Sequence, residues 1–254
     1  MCDKNCIVPD LHILSALIMK QTVIIFFALI FSSSSTIVHA QATNDAQALM
    51  FEAFEKILAR SIDPQILDVR SPAEFKENHL KGAINFYVKD ENTFTTGIEN
   101  LRKDKPVFVY SINNGRSGVV SKKLRDAGFA EVYPLPGGLA HWIGEGKPIE
   151  SSAGNGLTQE EYLKLVSSEN VVLVDVGSRH CGGCKKLEPV IDEVSKEQAL
   201  KVVKVELYDN RQLAKDLDIE SVPTLLLYKG NKVIWRKSGH ITKVDIQDAL
   251  EKSM

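Results

Sequence analysis

Cysteine is scarce in this chain: four residues in 254. That is too few for a disulfide-stapled scaffold. An excess of charge of one sign is missing too. Lys and Arg number 31 against 33 Asp and Glu, a net charge of -2, so no strong pull toward nucleic acid or an anionic membrane surface is expected. There is no internal repeat and, past residue 40, no low-complexity tract, which argues against a solenoid or a disordered tail. Long apolar runs are absent except near the start. What is present, 44% hydrophobic and 25% charged residues, is the composition of a soluble globular protein of one large or two ordinary domains.

The first forty residues read as a processing segment. Lys20 precedes the apolar run Thr22–Phe31, a polar stretch follows, and Val38-His39-Ala40 forms a small-residue cleavage site. This is the order of a secretory signal peptide, and the run is short for a membrane span. A start at Met19 gives a compact signal, with Cys2 and Cys6 then absent from the mature chain. A cleaved signal over residues 1–40 places the protein in the periplasm or outside the cell, with no permanent membrane anchor; a retained anchor is the competing reading.

Periodicity organises the rest. Asn44 is placed to cap a helix whose apolar residues recur at helical spacing from Ala46 to Leu58. Strands are expected at Gln65–Val69, Pro106–Tyr110 and Glu131–Leu135, with a helix at Ser117–Ala127, an alternation that implies a parallel sheet covered on both faces. Residues 151–156, Ser-Ser-Ala-Gly-Asn-Gly, read as a flexible linker. Beyond it come strands at Val171–Val176, Val202–Leu207, Thr224–Tyr228 and Lys232–Arg236. Helices follow at Cys184–Lys196, Gln212–Leu217 and Val244–Lys252. The domains are therefore 41–150 and 157–254.

Cys181-Gly182-Gly183-Cys184 lies between a strand and a helix. A helix N-terminus offers free N–H groups and partial positive charge, which stabilise a thiolate, so Cys181, on the exposed side of the helix start, is the expected attacking thiol and Cys184, one turn inside, the resolving one. A zinc site would need two further ligands, and beyond residue 40 there is no other cysteine and no paired histidines. A purely structural disulfide here would close too few residues to be an effective staple. Residues 157–254 resemble a thioredoxin. The resemblance rests on Val172-Leu-Val-Asp175 six residues before Cys181, Lys185, Pro189, Ser221-Val222-Pro223-Thr224, Lys204 and Gly239. It implies a buried Asp175 that relays the proton of Cys184, with Lys204 nearby. It also implies a cis-proline loop at Pro223 that leaves the Val222 backbone free for an extended substrate, with Gly239 beside the groove. Val176, Gly177 and His180 stand where the family usually carries aromatics, and Gly183 where it carries proline.

Residues 47–150 resemble a rhodanese domain through Leu67-Asp68-Val69-Arg70, Glu74-Phe75, Asn78-His79-Leu80-Lys81-Gly82-Ala83-Ile84-Asn85, Leu135-Pro136-Gly137-Gly138, Trp142 and Gly146-Lys147-Pro148. At the position of that family's nucleophilic cysteine stands Ser111, followed by Asn114, Gly115 and Arg116. A hydroxyl holds no persulfide and is far less acidic than a thiol. His79 and His141 read as structural. The loop's N–H groups and Arg116 are left either to hold an anion or to serve only as packing.

The expectation is thus a two-domain α/β protein, a rhodanese-like parallel-sheet domain and a thioredoxin fold, that exchanges disulfides with protein substrates and a redox partner. It has no metal, no organic cofactor and no nucleic-acid partner. Persulfide handling by Cys181, or a non-catalytic partner-binding role, are the alternatives.

Overall fold

The computed structural model describes residues 50–152, 154 and 156–253. The signal segment and the Asn44 cap lie outside them. From Phe51 onward the chain forms one compact unit, built on two four-stranded sheets. Among the described residues no helix is long and apolar enough to cross a membrane.

The first sheet holds β1 (Gln65–Asp68), β3 (Ala83–Asn85), β4 (Val107–Tyr110) and β5 (Val132–Pro134), in the order β3-β1-β4-β5 and parallel throughout. Around it lie α1 over 50–60, α2 (Pro72–Glu77), α3 (Glu91–Ile98), α4 (Asn114–Asp126) and α5 (Gly138–Gly144). Strand β4 is buried along its whole length, and its alternating side chains divide between two cores. Val107 and Val109 join Leu67, Phe86, Phe94, Val120 and Leu124. Phe108 and Tyr110 face the other way, into a core that continues into the second half of the chain.

The second sheet holds β7 (Val172–Gly177), β8 (Lys201–Glu206), β9 (Thr224–Lys229) and β10 (Lys232–Ser238), in the order β10-β9-β7-β8. Helices α6 (Gln159–Val166), α7 (Gly182–Glu197), α8 (Arg211–Asp216) and α9 (Lys243–Glu251) accompany it. Here the sheet is mixed: β8 is parallel to β7, whereas β9 and β10 run antiparallel. Only Gly230 and Asn231 separate β9 from β10, with Gly230 at φ +62°, and a two-residue loop joins strands only as a hairpin. Strand β7 repeats the division seen in β4. Leu173 packs with Leu187 and Ile191 of α7, while Val172, Val174 and Val176 enter the core that also holds Phe108, Tyr110, Leu139 and Ile143.

The two halves are therefore joined by a continuous apolar core. Gly144 of α5 fits because it has no side chain: a Cβ there would lie 2.0 Å from the Ile219 carbonyl oxygen. The fully buried Arg70 grips both Asp68 oxygens and donates to the Tyr208 hydroxyl at 3.0 Å. The expected linker is tied down at both ends. Ser151, in β6 (Glu150–Ser151), pairs with Asn78 of β2 (Asn78–His79), and Leu157 N–H donates to Asn210 Oδ1 at 2.7 Å. Gly156 is needed for close packing: a Cβ there would meet the Asp209 carbonyl oxygen at 2.2 Å.

Candidate functional site

Strand β7 ends at Gly177, and α7 begins at Gly182 with Cys181 as its N-cap. The Cys184 N–H points at Cys181 Sγ, 3.1 Å away, the contact that would favour a thiolate there once the pair is reduced. Cys181 and Cys184 are joined as a disulfide, with their Cα atoms 5.2 Å apart. Pro189 sits inside α7, where it supplies no N–H to the helix ladder.

Asp175 lies on β7 beneath this pair. A Cβ placed on Gly177 would be 3.5 Å from Cys184 Sγ and 3.8 Å from Asp175 Oδ1, so the absence of a side chain at 177 keeps open the space between acid and thiol. Asp175 Oδ1 has no hydrogen-bond partner, and burial pushes the carboxyl up to about 6 against the opposing pull of Lys204. Lys204, its register partner on β8, spends its ammonium on Glu188 Oε1 at 2.7 Å. The lysine therefore acts on Asp175 through space and makes no direct bond.

The peptide bond between Val222 and Pro223 is cis. A Cβ on Gly183 would touch Pro223 Cδ at 3.3 Å, which places Pro223 beside the motif. Gly239 lies further along the same edge; its N–H donates to the Pro223 carbonyl at 2.8 Å and its φ is +79°. Two expectations need correction. The Val222 backbone is not free, because Asn113 of the first domain takes both its groups: Nδ2 donates to Val222 O at 2.6 Å, and Oδ1 accepts from Val222 N–H at 3.4 Å. Nor does Cys181 lie on an exposed side of the helix start; it is 2% exposed.

Asn113 belongs to the loop that leads from β4 into α4. Ser111, at the nucleophile position, is 1% exposed. Its Oγ donates to the Asn113 carbonyl and accepts from Ser117 N–H at 3.3 Å. A carbonyl oxygen thus faces the position where an anion cradle needs donors. Arg116 is not available to such a cradle either, because it forms a two-pronged pair with Glu74 at 2.9 and 2.8 Å. Burial works to raise the Glu74 carboxyl, but the Arg116 and Ser71 hydrogen bonds hold it down at about 2. The exposed Asn114 and Gly115 form the first turn of α4. Neither histidine bonds Ser111: His141 meets Pro136 O and Glu145, and His79 meets Phe75 O and Glu150.

The two loops face each other. A cleft of about 480 Å³ has Ser111 to Asn113, Gly115 and Arg116 on one wall and His180 to Gly183 on the other. His180 Nε2 contacts Glu77 Oε2 at 2.8 Å. Among the described residues no group of three or more His, Cys, Asp or Glu is placed to hold a metal. The sequence pattern did not single out Asn113 or the Arg70–Tyr208 contact. Both bridge the two domains, across 109 and 138 residues of chain, and carry no local signal.

A vicinal cysteine pair at a helix start, backed by a half-buried carboxyl on a mixed sheet, defines a thiol–disulfide oxidoreductase. Comparison with known proteins makes this specific. Residues 155–252 match the thioredoxin family model. Thioredoxin 1 of Nostoc sp. is 36% identical over 41% of this chain and 99% of its own length. Bacillus subtilis thioredoxin is 34% identical over 37% of this chain and 93% of its own. The chain belongs to the thioredoxin family, and it carries a rhodanese-like domain ahead of the thioredoxin domain, matched over residues 51–145. The uncharacterized protein YqhL of Bacillus subtilis is 38% identical over 32% of this chain and 62% of its own length. Among solved structures, a mutant thioredoxin from Halobacterium salinarum aligns at 25% identity with a TM-score of 0.36, over 41% of this chain and 95% of that one.

Proposed function

We propose that this protein exchanges disulfides with protein substrates outside the cytoplasm, through Cys181 and Cys184, and that the rhodanese-like domain performs no sulfur transfer. The observation that carries the reading is the Cys181–Cys184 pair at the start of α7 with Asp175 below it. In the reduced protein the Cys181 thiolate attacks a substrate disulfide. One Cys181–substrate bond forms, and one substrate thiolate leaves and takes up a proton. Cys184 then gives its proton to the Asp175 carboxylate, and its sulfur attacks Cys181 Sγ. The Cys181–Cys184 disulfide closes and the second substrate thiol is released. The substrate is reduced by two electrons, which an external dithiol restores to the protein.

Export is supported by the apolar run Thr22–Phe31 and the Val38-His39-Ala40 site. Loss of sulfur transfer follows from a buried Ser111 whose loop presents a carbonyl and whose arginine is held by Glu74. Insulin reduction with dithiothreitol as electron donor tests the activity: turnover above the uncatalysed rate is expected from the wild type and background turnover from Cys181→Ser. A Cys181→Ser protein as fast as wild type would remove the assignment.

A further inference from the structure

Val222 brings a backbone N–H and C=O to the edge of the redox site, with its carbonyl oxygen 3.7 Å from Cys181 Sγ. Strand β9 begins only at Thr224, so the sheet does not use these two groups. The side chain of Asn113 uses both. A primary amide that donates with one end and accepts with the other presents the same pair of groups as the N–H and C=O of one residue in an extended chain added along an edge.

The loop that carries Asn113 is held in place from behind. Leu139 N–H at the start of α5 donates to Ser111 O at 2.8 Å, and Ala140 N–H donates to Ile112 O at 3.0 Å. This approach requires Gly138: a Cβ there would lie 2.7 Å from the Ser111 and Ile112 oxygens. Asn113 is also the N-cap of α4, yet its side chain makes no capping bond. Asparagine is among the best capping residues, so its amide serves the contact between domains at the expense of its own helix.

We propose that Asn113 is a specificity-determining residue: it stands where the backbone of an extended polypeptide would pair beside Cys181. Small disulfides then enter through the cleft between the loops, and an extended polypeptide engages only when Asn113 withdraws. This rests on the thiol–disulfide exchange proposed above.

Pre-reduced full-length protein, freed of reductant, is mixed with excess of one of two oxidants. The first is dithiobis(nitrobenzoate), read by release of the coloured thiolate. The second is an extended peptide pair joined by one disulfide, read by acid quench and mass analysis of Cys181–Cys184 closure. Asn113→Ala should raise the ratio of peptide to small-disulfide rate constants about ten-fold, the effect of removing two competing hydrogen bonds. Asn113→Asp is nearly the same size but sets an acceptor against the Val222 carbonyl; it should shift the ratio in the same direction and serves if the alanine variant does not fold. An unchanged or lowered ratio in folded protein, or an equal rise of both rates, would overturn the proposal. Failure of the wild type to form its disulfide with either oxidant would instead overturn the exchange reading, and the proposal with it.

Discussion

Two strand–loop–helix units face each other in this molecule, and they differ in what the start of each helix does. At β7–α7 the N-cap is Cys181, whose sulfur receives the Cys184 N–H. At β4–α4 the N-cap is Asn113, whose side chain leaves its helix uncapped and reaches Val222. The first unit turns a helix N-terminus toward a sulfur. In the second a hydroxyl occupies the nucleophile position, a carbonyl faces it, and Glu74 takes the arginine. A helix start is therefore not a reactive site by itself. Its donors must point inward, and a group able to hold negative charge must stand in front of them. The second loop stays close to the first, its Ser111 and Ile112 carbonyls held by the Leu139 and Ala140 N–H groups.

The sharpest way to probe this difference is to remove the support beneath the reactive unit. Asp175 titrates at about 6 in the fold against an ordinary 3.8. Its ionised form is disfavoured, so the stability it permits is complete below about pH 4 and falls as pH rises through about 6. Asp175→Asn should therefore be more stable than wild type by about 3 kcal/mol above pH 7 and equal to it below pH 4. Denaturant unfolding across that range reads the difference. The rate at which Cys184 closes the disulfide should lose its rise through pH 6 and drop about ten-fold at neutral pH. A variant that keeps the wild-type pH profile would show that the acid is only a core polar group.

A smaller effect tests the silent unit. With Cys181→Ser and Cys184→Ser in the background, Ser111→Cys should react with iodoacetamide several-fold more slowly than free cysteine, because the position is buried and faces a carbonyl. Loop length alone would predict the opposite, a thiol at 111 activated by Arg116 and the helix start. A rate above that of free cysteine would mean that the loop opens and still carries a working cradle.

Much of the fold was legible in the sequence. The strands at Gln65, Val107, Val172 and Thr224 announce themselves by apolar runs bounded by turn residues, and Cys181-Gly182-Gly183-Cys184 marks the site. Helices α7 and α4 begin at Gly182 and Asn114, earlier than the Cys184 and Ser117 that periodicity indicates, because glycine and asparagine are poor helix formers and do not advertise a first turn. Helix α5 escaped notice because every residue from Gly138 to Gly144 is buried, which erases any amphipathic period. Helix α3 escaped because Thr93, Thr95, Thr96 and Gly97 are weak formers; the Asp90 capping box and the buried Phe94 hold it. Strand β3 (Ala83–Asn85) is only three residues long, too short to show an alternating pattern. The Asn113–Val222 contact had no sequence signature, since neither residue's chemistry names a partner 109 positions away.

The central claim is that one unit carries the chemistry and Cys181 is its attacking sulfur. Trapping tests it most directly. Cys184→Ser protein, reduced and mixed with a disulfide-bonded protein substrate, should accumulate a mixed disulfide that peptide mass mapping places on Cys181, and Cys181→Ser should accumulate none. A stable adduct on Cys184 in the Cys181→Ser protein, with none on Cys181 in its counterpart, would contradict the account.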